Sequence, residues 1–456
     1  MFDLNRVDQL RAFYNSGATR SYAFRKEQLL RLKTAILKHE NAIYEALKKD
    51  LNKSPEESWV TEIALVLNEI RYALNQLKKW MRPQKVKTNL INFPSSSRII
   101  PEPLGVVFII SPWNYPFQLL LKPLVGAISA GNCVVLKSSE HAPATTMLLR
   151  RIITDAFDDK YILFTEGEGA EVVPAFINHF RFDHIFFTGG PVVGKSIYQL
   201  AAKDLVPVTL ELGGKSPCVV ESDADISTAA RRIAIAKFSN SGQICIAPDY
   251  LLVHHSVKNK LIKSLQDAII HFFGDHPQVS GDYGRVINEK QFDRIVGYLN
   301  DGKIIFGGKH DRSQLFIEPT LIDDVNIDGN IMKEEIFGPL LPIMTYQHTD
   351  EVLKIISRNP NPLAFYLFTN SRQKEKFWMD NVAFGGGCVN NAAWHITNHH
   401  LPLGGRGYSG IGQYQGRKSF ETFSHMKSVM KTPNWFDPNF KYPPLKGRLN
   451  FFKKII

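Results

Sequence analysis

Apolar side chains recur at helical spacing through the first eighty residues. Leu29, Leu32, Ile36, Ile43 and Leu47 share one face, as do Ile63, Val66, Ile70, Leu74 and Leu77. Pro83 closes the second run. Residues 86–98 are polar and contain Ser and Thr, which predicts a strand pair or an excursion from the main body. From Leu104 the pattern changes to short apolar runs alternating with amphipathic helices. Strands are predicted at 104–110, 133–136, 161–165 and 184–188, with helices to about Ala130, after Pro143, and after the Gly-containing turns that follow the last two strands. Such alternation predicts a parallel sheet covered by helices on both faces, with ligands at the carboxyl ends of its strands. A second alternating region follows Leu210-Glu211-Leu212-Gly213-Gly214. It holds a long helix at 226–238, a strand at 250–254, a helix from Ser256, and further candidates to about Phe384. The tail after Thr422 offers one strand at 428–431 and then Pro-rich coil. The fold class is α/β, a doubly wound parallel-sheet domain followed by a second α/β domain.

Composition narrows the class without naming a function. The chain has 456 residues, enough for more than one core, and its hydrophobic (44%) and charged (22%) fractions are those of a globular protein. The most apolar stretch, 104–136, is interrupted by Pro112, Asn114, Pro116, Lys122, Pro123 and Asn132, so no membrane-length run is present. The start, Met1-Phe2-Asp3-Leu4-Asn5-Arg6, lacks the basic-then-apolar pattern of a secretory signal. Four scattered cysteines form neither a C-x-x-C pair nor a zinc spacing, which suits a reducing compartment and makes a cytoplasmic location the expectation. The net charge of +11 is spread along the chain, with a modest concentration at 441–454. No nucleic-acid motif accompanies it, so a solvated surface is the better reading and no nucleic-acid partner is expected.

Chemistry is sought among residues whose surroundings suit it. Cys245 follows a helix in the polar loop Asn240-Ser241-Gly242-Gln243-Ile244, where access and a lowered thiol pKa are easier to supply than inside a strand. Cys133, Cys218 and Cys388 lie in or beside apolar runs and read as packing residues. Local context alone leaves Cys245 open between nucleophile and packing thiol. Glu211 ends the apolar run 206–210, where partial desolvation makes a carboxylate a general base, although an isolated strand-end Glu is more often a surface residue. Asn114, in a proline-bracketed loop, can offer an amide N–H to an oxyanion, or simply be a turn asparagine. Gly189 to Gly194 joins a strand to a helix and suits a phosphate at the helix N-terminus. Gly189 to Ser196 also matches the P-loop letters, but no apolar run ending in Asp supplies the metal-holding partner, and the match reads as accidental. The histidines between His395 and His400 lie in a Pro- and Gly-containing loop without a carboxylate or cysteine to complete a set, so no metal is expected.

The ordered motifs Pro112-Trp113-Asn114-Tyr115-Pro116, Val135-Leu136-Lys137-Ser138-Ser139-Glu140, Leu210-Glu211-Leu212-Gly213-Gly214-Lys215-Ser216-Pro217, Ser241-Gly242-Gln243-Ile244-Cys245, Glu334-Glu335-Ile336-Phe337-Gly338-Pro339 and Phe420-Glu421-Thr422-Phe423-Ser424-His425 span the chain. Together they resemble the aldehyde dehydrogenase superfamily, closest to its class 3 or fatty aldehyde dehydrogenase group. The resemblance implies an NAD(P)-binding domain at 1–85 and 99–209, a catalytic domain at 210–395, small oligomerisation strands at 86–98 and 420–432, and a tail at 433–456. It implies oxidation of an aldehyde to the acid with NAD or NADP. Cys245 forms a thiohemiacetal and then a thioester, Asn114 and the Cys245 N–H hold the oxyanion, a hydride passes to nicotinamide, and Glu211 activates the hydrolytic water. Cofactor contacts are implied for Ser111, Trp113, Lys137, Glu140, Thr188, Gly189, Gly190, Gly194, Leu212, Glu335 and Phe337, and a substrate pocket for Tyr115, Ile244 and His395. Ile244, where the family often has Thr, makes that pocket more apolar, and Gly190-Pro191 replaces a more usual polar pair. Glu140 favours NAD, whereas Lys137 can accept a 2′-phosphate. A homodimer is implied by the resemblance alone. The segment 442–456, with Phe451-Phe452 and Ile455-Ile456 among basic residues, suggests weak membrane-surface contact, against the alternative of a tail docked on protein. Competing readings are a coenzyme A-acylating enzyme, which has no need of Glu211, and a non-catalytic nucleotide-binding scaffold.

Overall fold

The computed structural model describes residues 4–455. Residues 1–3, Ile456 and the side chain of Ile455 lie outside the described residues, and with them the chain-start reading and the terminal Ile455-Ile456 pair. The N-terminal helices are α1 (Arg6–Asn15), α2 (Tyr22–Lys38), α3 (Glu40–Leu51), the one-turn α4 (Pro55–Ser58) and α5 (Ala64–Trp80). Their starts follow local chemistry. Ser21 caps α2 by accepting the Phe24 N–H, and Ser54 caps α4 ahead of Pro55. A π-helical turn at Trp59–Ile63 links α4 to α5. The stripe Val66, Ile70, Ala73 and Leu77 is buried, and α5 ends at Trp80, three residues before Pro83, with Met81 as its cap.

The remaining strands and helices alternate as the apolar pattern predicts. In chain order they are β1 (Gln84–Val86), β2 (Ser96–Pro103), β3 (Val106–Ile110), α6 (Gln118–Ala130), β4 (Cys133–Lys137), α7 (Pro143–Ala156), β5 (Ile162–Thr165), α8 (Gly169–His179), β6 (His184–Thr188), α9 (Pro191–Ala202), β7 (Val208–Glu211), β8 (Pro217–Val220), α10 (Ile226–Phe238), β9 (Tyr250–His254) and α11 (Lys258–Phe273). Later strands are β10 (Lys303–Phe306), β11 (His310–Asp311), β12 (Phe316–Ile317), β13 (Thr320–Asp323), β14 (Leu340–Tyr346), β15 (Ala364–Phe368), β16 (Gly386–Val389), β17 (Gly410–Ile411) and β18 (Ser424–Lys431).

One sheet has the order β17-β7-β6-β3-β4-β5, parallel throughout except at β17. Every residue of β3, β4 and β6 is buried, which fits a sheet covered on both faces. The strand order reverses beside β3, and the loops after β3 and β6 leave the sheet at that crevice. The second sheet has the order β10-β13-β14-β9-β8-β15-β16, parallel except at its β10 edge. Its two faces feed separate cores: Cys218, Val220, Leu251, Val253 and Tyr366 pack on one side, and Val219, Leu252, Phe365 and Leu367 on the other. A third sheet, β1-β2-β18, stands apart from both, with β2 and β18 antiparallel from Ser424↔Pro103 to Lys431↔Ser96.

Several boundaries differ from the sequence expectation. The strand expected from Leu104 starts at Val106, because Gly105 turns at φ +143 and gives its N–H to Asn132 Oδ1. A 3-10 turn at His255–Val257 delays the helix expected from Ser256 to Lys258. β18 begins four residues before the expected Ser428. Its side chains are mostly polar and exposed, so apolar alternation does not mark it, and pairing with β2 defines it instead. The tail is also more than coil, since a helix spans Leu449–Ile455.

Candidate active site

The loop after β3 is held rigidly. Asn114 is 2% exposed, its main-chain oxygen accepts from Lys53 Nζ (3.2 Å) and Asn240 Nδ2 (2.9 Å), and its own Nδ2 donates to Gln243 O (3.0 Å). The second Nδ2 hydrogen has no acceptor among the described residues and belongs to a side chain that lines the central cleft. The loop carrying Cys245 comes from the other sheet's side of that cleft. Asn240 and Ser241 are left-handed at φ +50 and +51, and Gly242 follows at φ +73. A Cβ on Gly242 would stand 2.2 Å from Gly338 O, so glycine is what allows the loop to pack on the Glu334 to Pro339 motif. Gln243 ties the loop down from within, donating to Asn240 O (3.0 Å) and Arg285 O (2.8 Å) and accepting from Ile287 N (2.9 Å). On the far side of the Cys245 turn, Tyr366 donates its hydroxyl to Ile246 O (2.5 Å).

Glu211 is the last residue of β7. Its main-chain oxygen accepts the Gly189 N–H (3.0 Å), while its buried Oε1 has no partner, and burial raises its pKa well above the usual carboxylate range. The Cys245 thiol is also pushed up, to about 12, by burial and then by the carboxylates of Glu335 and Glu211. The backbone N–H groups of Cys245 and Ile246 oppose that rise without reversing it. This corrects the expectation of a lowered thiol pKa: the loop supplies no neighbouring cation, and two carboxylates face the sulfur. Glu335 is likewise raised by burial and by Asp249, against Lys215 and the Gly214 N–H. Gly213 lies so close that a Cβ there would be 1.9 Å from Glu335 Oε2.

One cleft of 1020 Å³ brings together Asn114, Glu211 and Cys245 with Trp113, Thr188, Gly189, Gly190, Leu212, Glu335 and Phe337. Trp113 and Phe337 meet edge to face at 5.2 Å. The aldehyde dehydrogenase family profile matches residues 9–429. The chain belongs to the aldehyde dehydrogenase family. It is 45% identical to the 4,4'-diaponeurosporen-aldehyde dehydrogenase of Staphylococcus aureus over 97% of this chain and 96% of that protein. It is 46% identical to an aldehyde dehydrogenase of Craterostigma plantagineum over 99% and 95%, and 44% identical to aldehyde dehydrogenase family 3 member H1 of Arabidopsis thaliana over 99% and 94%. Among solved structures, the substrate-bound Staphylococcus aureus AldH superposes with a TM-score of 0.97 at 44% identity, covering 100% of this chain and 99% of that one. The NAD-dependent aldehyde dehydrogenase of Sinorhizobium meliloti gives 0.86 at 27% identity, covering 95% and 88%. The protein is an oxidoreductase that oxidises an aldehyde with NAD or NADP.

The crevice of this aldehyde dehydrogenase fits such a dinucleotide. Ser111 Oγ and Thr188 Oγ1 are buried without hydrogen-bond partners at the ends of β3 and β6. Gly190 precedes α9 with open space where a Cβ would stand, leaving that helix N-terminus accessible. Gly194 is a packing glycine instead, since a Cβ there would meet Leu212 at 2.6 Å. Lys195 and Ser196, the letters of the P-loop match, are exposed on α9. At the end of β4, outside the residues lining the central cleft, Lys137 Nζ pairs with Glu140 Oε2 (2.6 Å), and Glu140 Oε1 accepts the first N–H of α8 from Gly169 (2.9 Å). Burial works to raise the Glu140 carboxyl, but these two contacts outweigh it and hold it ionised.

The three expected pocket residues lie in different surroundings. Tyr115 and Ile244 are buried in the core beside Cys245 with Leu119, and Tyr115 presents its ring to Lys53 Nζ at 3.9 Å. His395 sits with Nδ1 3.6 Å from Cys388 Sγ, its buried Nε2 unpartnered and its pKa lowered to about 4 by burial. Among the described residues no group of three or more His, Cys, Asp or Glu is placed to hold a metal ion. Sequence reasoning missed the supports. Lys215 pairs with Asp249 and donates to Ile331 O (2.8 Å) and Glu334 O (3.0 Å), while Asp249 accepts the Ile336 N–H (3.0 Å), which fixes the segment bearing Glu335 and Phe337. Lys215 directly follows Gly213-Gly214, a glycine pair that marks its segment in the sequence. Lys53, Glu57 and Glu62 carry no local signal.

Proposed function

We propose that the enzyme converts its aldehyde to the carboxylic acid by covalent catalysis on Cys245, with hydrolysis assisted by Glu211. The observation that carries this reading is the buried, unpartnered Oε1 of Glu211 in the same cleft as the Cys245 thiol. Cys245 loses its thiol proton to water in the cleft and attacks the carbonyl carbon as the thiolate, giving a thiohemiacetal whose oxyanion is met by the free Nδ2 hydrogen of Asn114 and the Cys245 N–H. When bound, the nicotinamide cofactor supplies the hydride acceptor that turns this adduct into a thioester. Glu211 then takes a proton from water as the water oxygen attacks the thioester carbon. The acid leaves and the thiol is restored. A carboxylate with a raised pKa suits that exchange near neutral pH. An acylating enzyme would give no reason to keep a solvent-deprived base here.

The test is a pre-steady-state assay. Cys245→Ala makes no NADH. Glu211→Gln makes NADH in a burst stoichiometric with enzyme and then slows, because the thioester persists. Steady NADH production by Cys245→Ala would overturn the mechanism, and an unslowed Glu211→Gln supplied with coenzyme A would favour acyl transfer. The core around Tyr115, Leu119 and Ile244 supports an apolar aldehyde, to be defined by a panel of aliphatic and aromatic aldehydes assayed with NAD and with NADP.

We infer a homodimer built through the β1-β2-β18 sheet, whose outer strand β18 has one free edge, and sedimentation at micromolar concentration checks it. We also infer weak contact of the tail with an anionic membrane surface, because Trp435, Tyr442, Leu445, Leu449 and Phe451 are exposed among Lys441, Lys446, Arg448, Lys453 and Lys454. Flotation with anionic vesicles that is unchanged on truncation before Tyr442 would refute it. The four unpaired thiols suit the cytoplasm.

A further inference from the structure

Three ionisable side chains from the junction of α3, α4 and α5 lie beneath the active site, two of them buried and one half-buried, and the reaction as described leaves them without a task. Lys53 and Glu62 are both fully inaccessible and pair at 2.6 Å, and Glu57 is half-buried beside them. Each reaches a different part of the catalytic apparatus. Lys53 Nζ donates to the main-chain oxygen of Asn114 (3.2 Å) and sits against the Tyr115 ring (3.9 Å). Glu62 Oε2 accepts the Gln118 N–H (2.9 Å) at the start of α6, the helix that the Asn114 loop leads into. Glu57 Oε1 accepts the Asn240 N–H (2.9 Å), the first left-handed residue of the nucleophile loop. Asn240 completes the circuit by donating to Asn114 O (2.9 Å) and Gln243 O (3.2 Å), and Gln243 O is also the acceptor of the Asn114 side chain.

The junction is itself fastened to the catalytic side. Leu51 O accepts the Arg285 N–H (2.9 Å), and Asn52 Nδ2 donates to Tyr283 O (3.1 Å). Glu62 stands inside the π-helical turn Trp59–Ile63, a widened turn of the kind found where a helix has been re-aimed at a functional site. We propose that Lys53, with Glu57 and Glu62, forms a buried charged clamp that sets the position of the Asn114 amide relative to Cys245. They are positioning residues, since none touches a reacting atom. The physical reason is that the oxyanion donor and the nucleophile belong to loops on two different sheets, so no single element fixes their separation. A hydrogen-bonded cation that saturates the Asn114 carbonyl and a carboxylate that pins Asn240 fix it from below. Taking ions out of water is costly, and hydrophobic replacement of such a pair is often neutral for stability, so fold stability gives no reason for this pair to be ionic.

The inference rests on the oxyanion role given to Asn114 above, and the test separates the two. The variants are Lys53→Met/Glu62→Met, which removes both charges together, and the milder Glu62→Gln, each made in the wild-type and the Asn114→Ala backgrounds. In the wild-type background, kcat/KM for the aldehyde falls roughly 10- to 100-fold for the double variant and several-fold for Glu62→Gln, as expected for a displaced catalytic group. KM for the cofactor changes little in either variant. The melting temperature changes little in the double variant but falls in Glu62→Gln, which leaves Lys53 buried without its counter-charge. In the Asn114→Ala background the same changes cost less than about twofold, because the group they position has gone. Equal losses in the two backgrounds, or no loss in the wild-type background, would overturn the clamp. If the double variant does not fold, the Glu62→Gln cycle decides by the same criterion. Failure of the oxyanion role itself shows separately, as an Asn114→Ala enzyme with full activity.

Discussion

The Cys245 sulfur is half-buried in the cleft near the carboxylates of Glu335 and Glu211, and the free enzyme holds it as a thiol. Burial is the main cause and the charges of Glu335 and Glu211 add to it, together moving the pKa to about 12. Below that value the thiolate fraction rises about tenfold per pH unit. Alkylation of the cofactor-free protein by iodoacetamide is therefore expected to accelerate steadily from pH 7 to pH 10. A Cys388→Ala background isolates the signal, since Cys388 is partly exposed whereas Cys133 and Cys218 are buried. A plateau below pH 9 would show that the thiol is activated before cofactor or substrate arrives. At this scale the sequence was informative for residues inside compact motifs. Cys245, Glu211 and Asn114 each sit among glycines, prolines or polar neighbours that mark a loop, and their joint order carried the resemblance. Lys53 and Asp249 were not legible, because what distinguishes a buried, paired lysine or aspartate from a solvated one is a partner far away in the chain.

The parallel strands were the most legible elements. Runs such as Val106–Ile110 and Cys133–Lys137 are buried on both faces, and only a continuous apolar run satisfies that requirement. β18 was only half visible, since an exposed strand needs pairing rather than apolar alternation. The nucleophile loop lies between these cases: its glycine was visible in sequence, but the reason for it was not. Gly242 combines φ +73 with backbone atoms of Gly338 at 2.2 and 2.5 Å from any Cβ, so neither rotation nor a flexible neighbour relieves a substitution. The left-handed conformation alone costs an L-residue roughly 1–2 kcal/mol, and the clash adds to it. Gly242→Ala is expected to lower the melting temperature and reduce kcat more than tenfold, by moving the loop off the Glu334 to Pro339 segment. Gly281→Ala, with open space and no positive φ, leaves both unchanged. A Gly242→Ala enzyme with wild-type turnover would mean that the loop does not depend on that packing.

Across the whole molecule, the buried ionisable groups pull the pH dependence of stability in opposite directions. Glu57, Glu62, Glu69, Glu211 and Glu335 have pKa values raised by burial, so the folded chain keeps protons that the unfolded chain releases, and their contribution weakens as pH rises above about 4.5. His184 acts the other way. It begins β6, is buried between Thr209 Oγ1 (3.0 Å) and the edge of Phe423, and burial lowers its pKa to about 4. Below its ordinary value near 6.5 the unfolded chain takes up a proton that the folded chain refuses, so its contribution is intact at neutral pH and is lost as pH falls from about 6.5 toward 4. Between pH 6.5 and 5 that loss amounts to about 2 kcal/mol. Glu211 and Glu335 line the central cleft, whereas His184 lies within the sheet outside it, so its share can be removed without touching the cleft. His184→Leu/Thr209→Val replaces the buried polar pair with apolar side chains. Its melting temperature is expected to fall less than that of the wild type on moving from pH 7.5 to pH 5, by a few degrees, with kcat at pH 7.5 unchanged. Parallel melting curves for the two proteins would show that His184 is charged in the fold, and that the acid sensitivity of the molecule arises elsewhere.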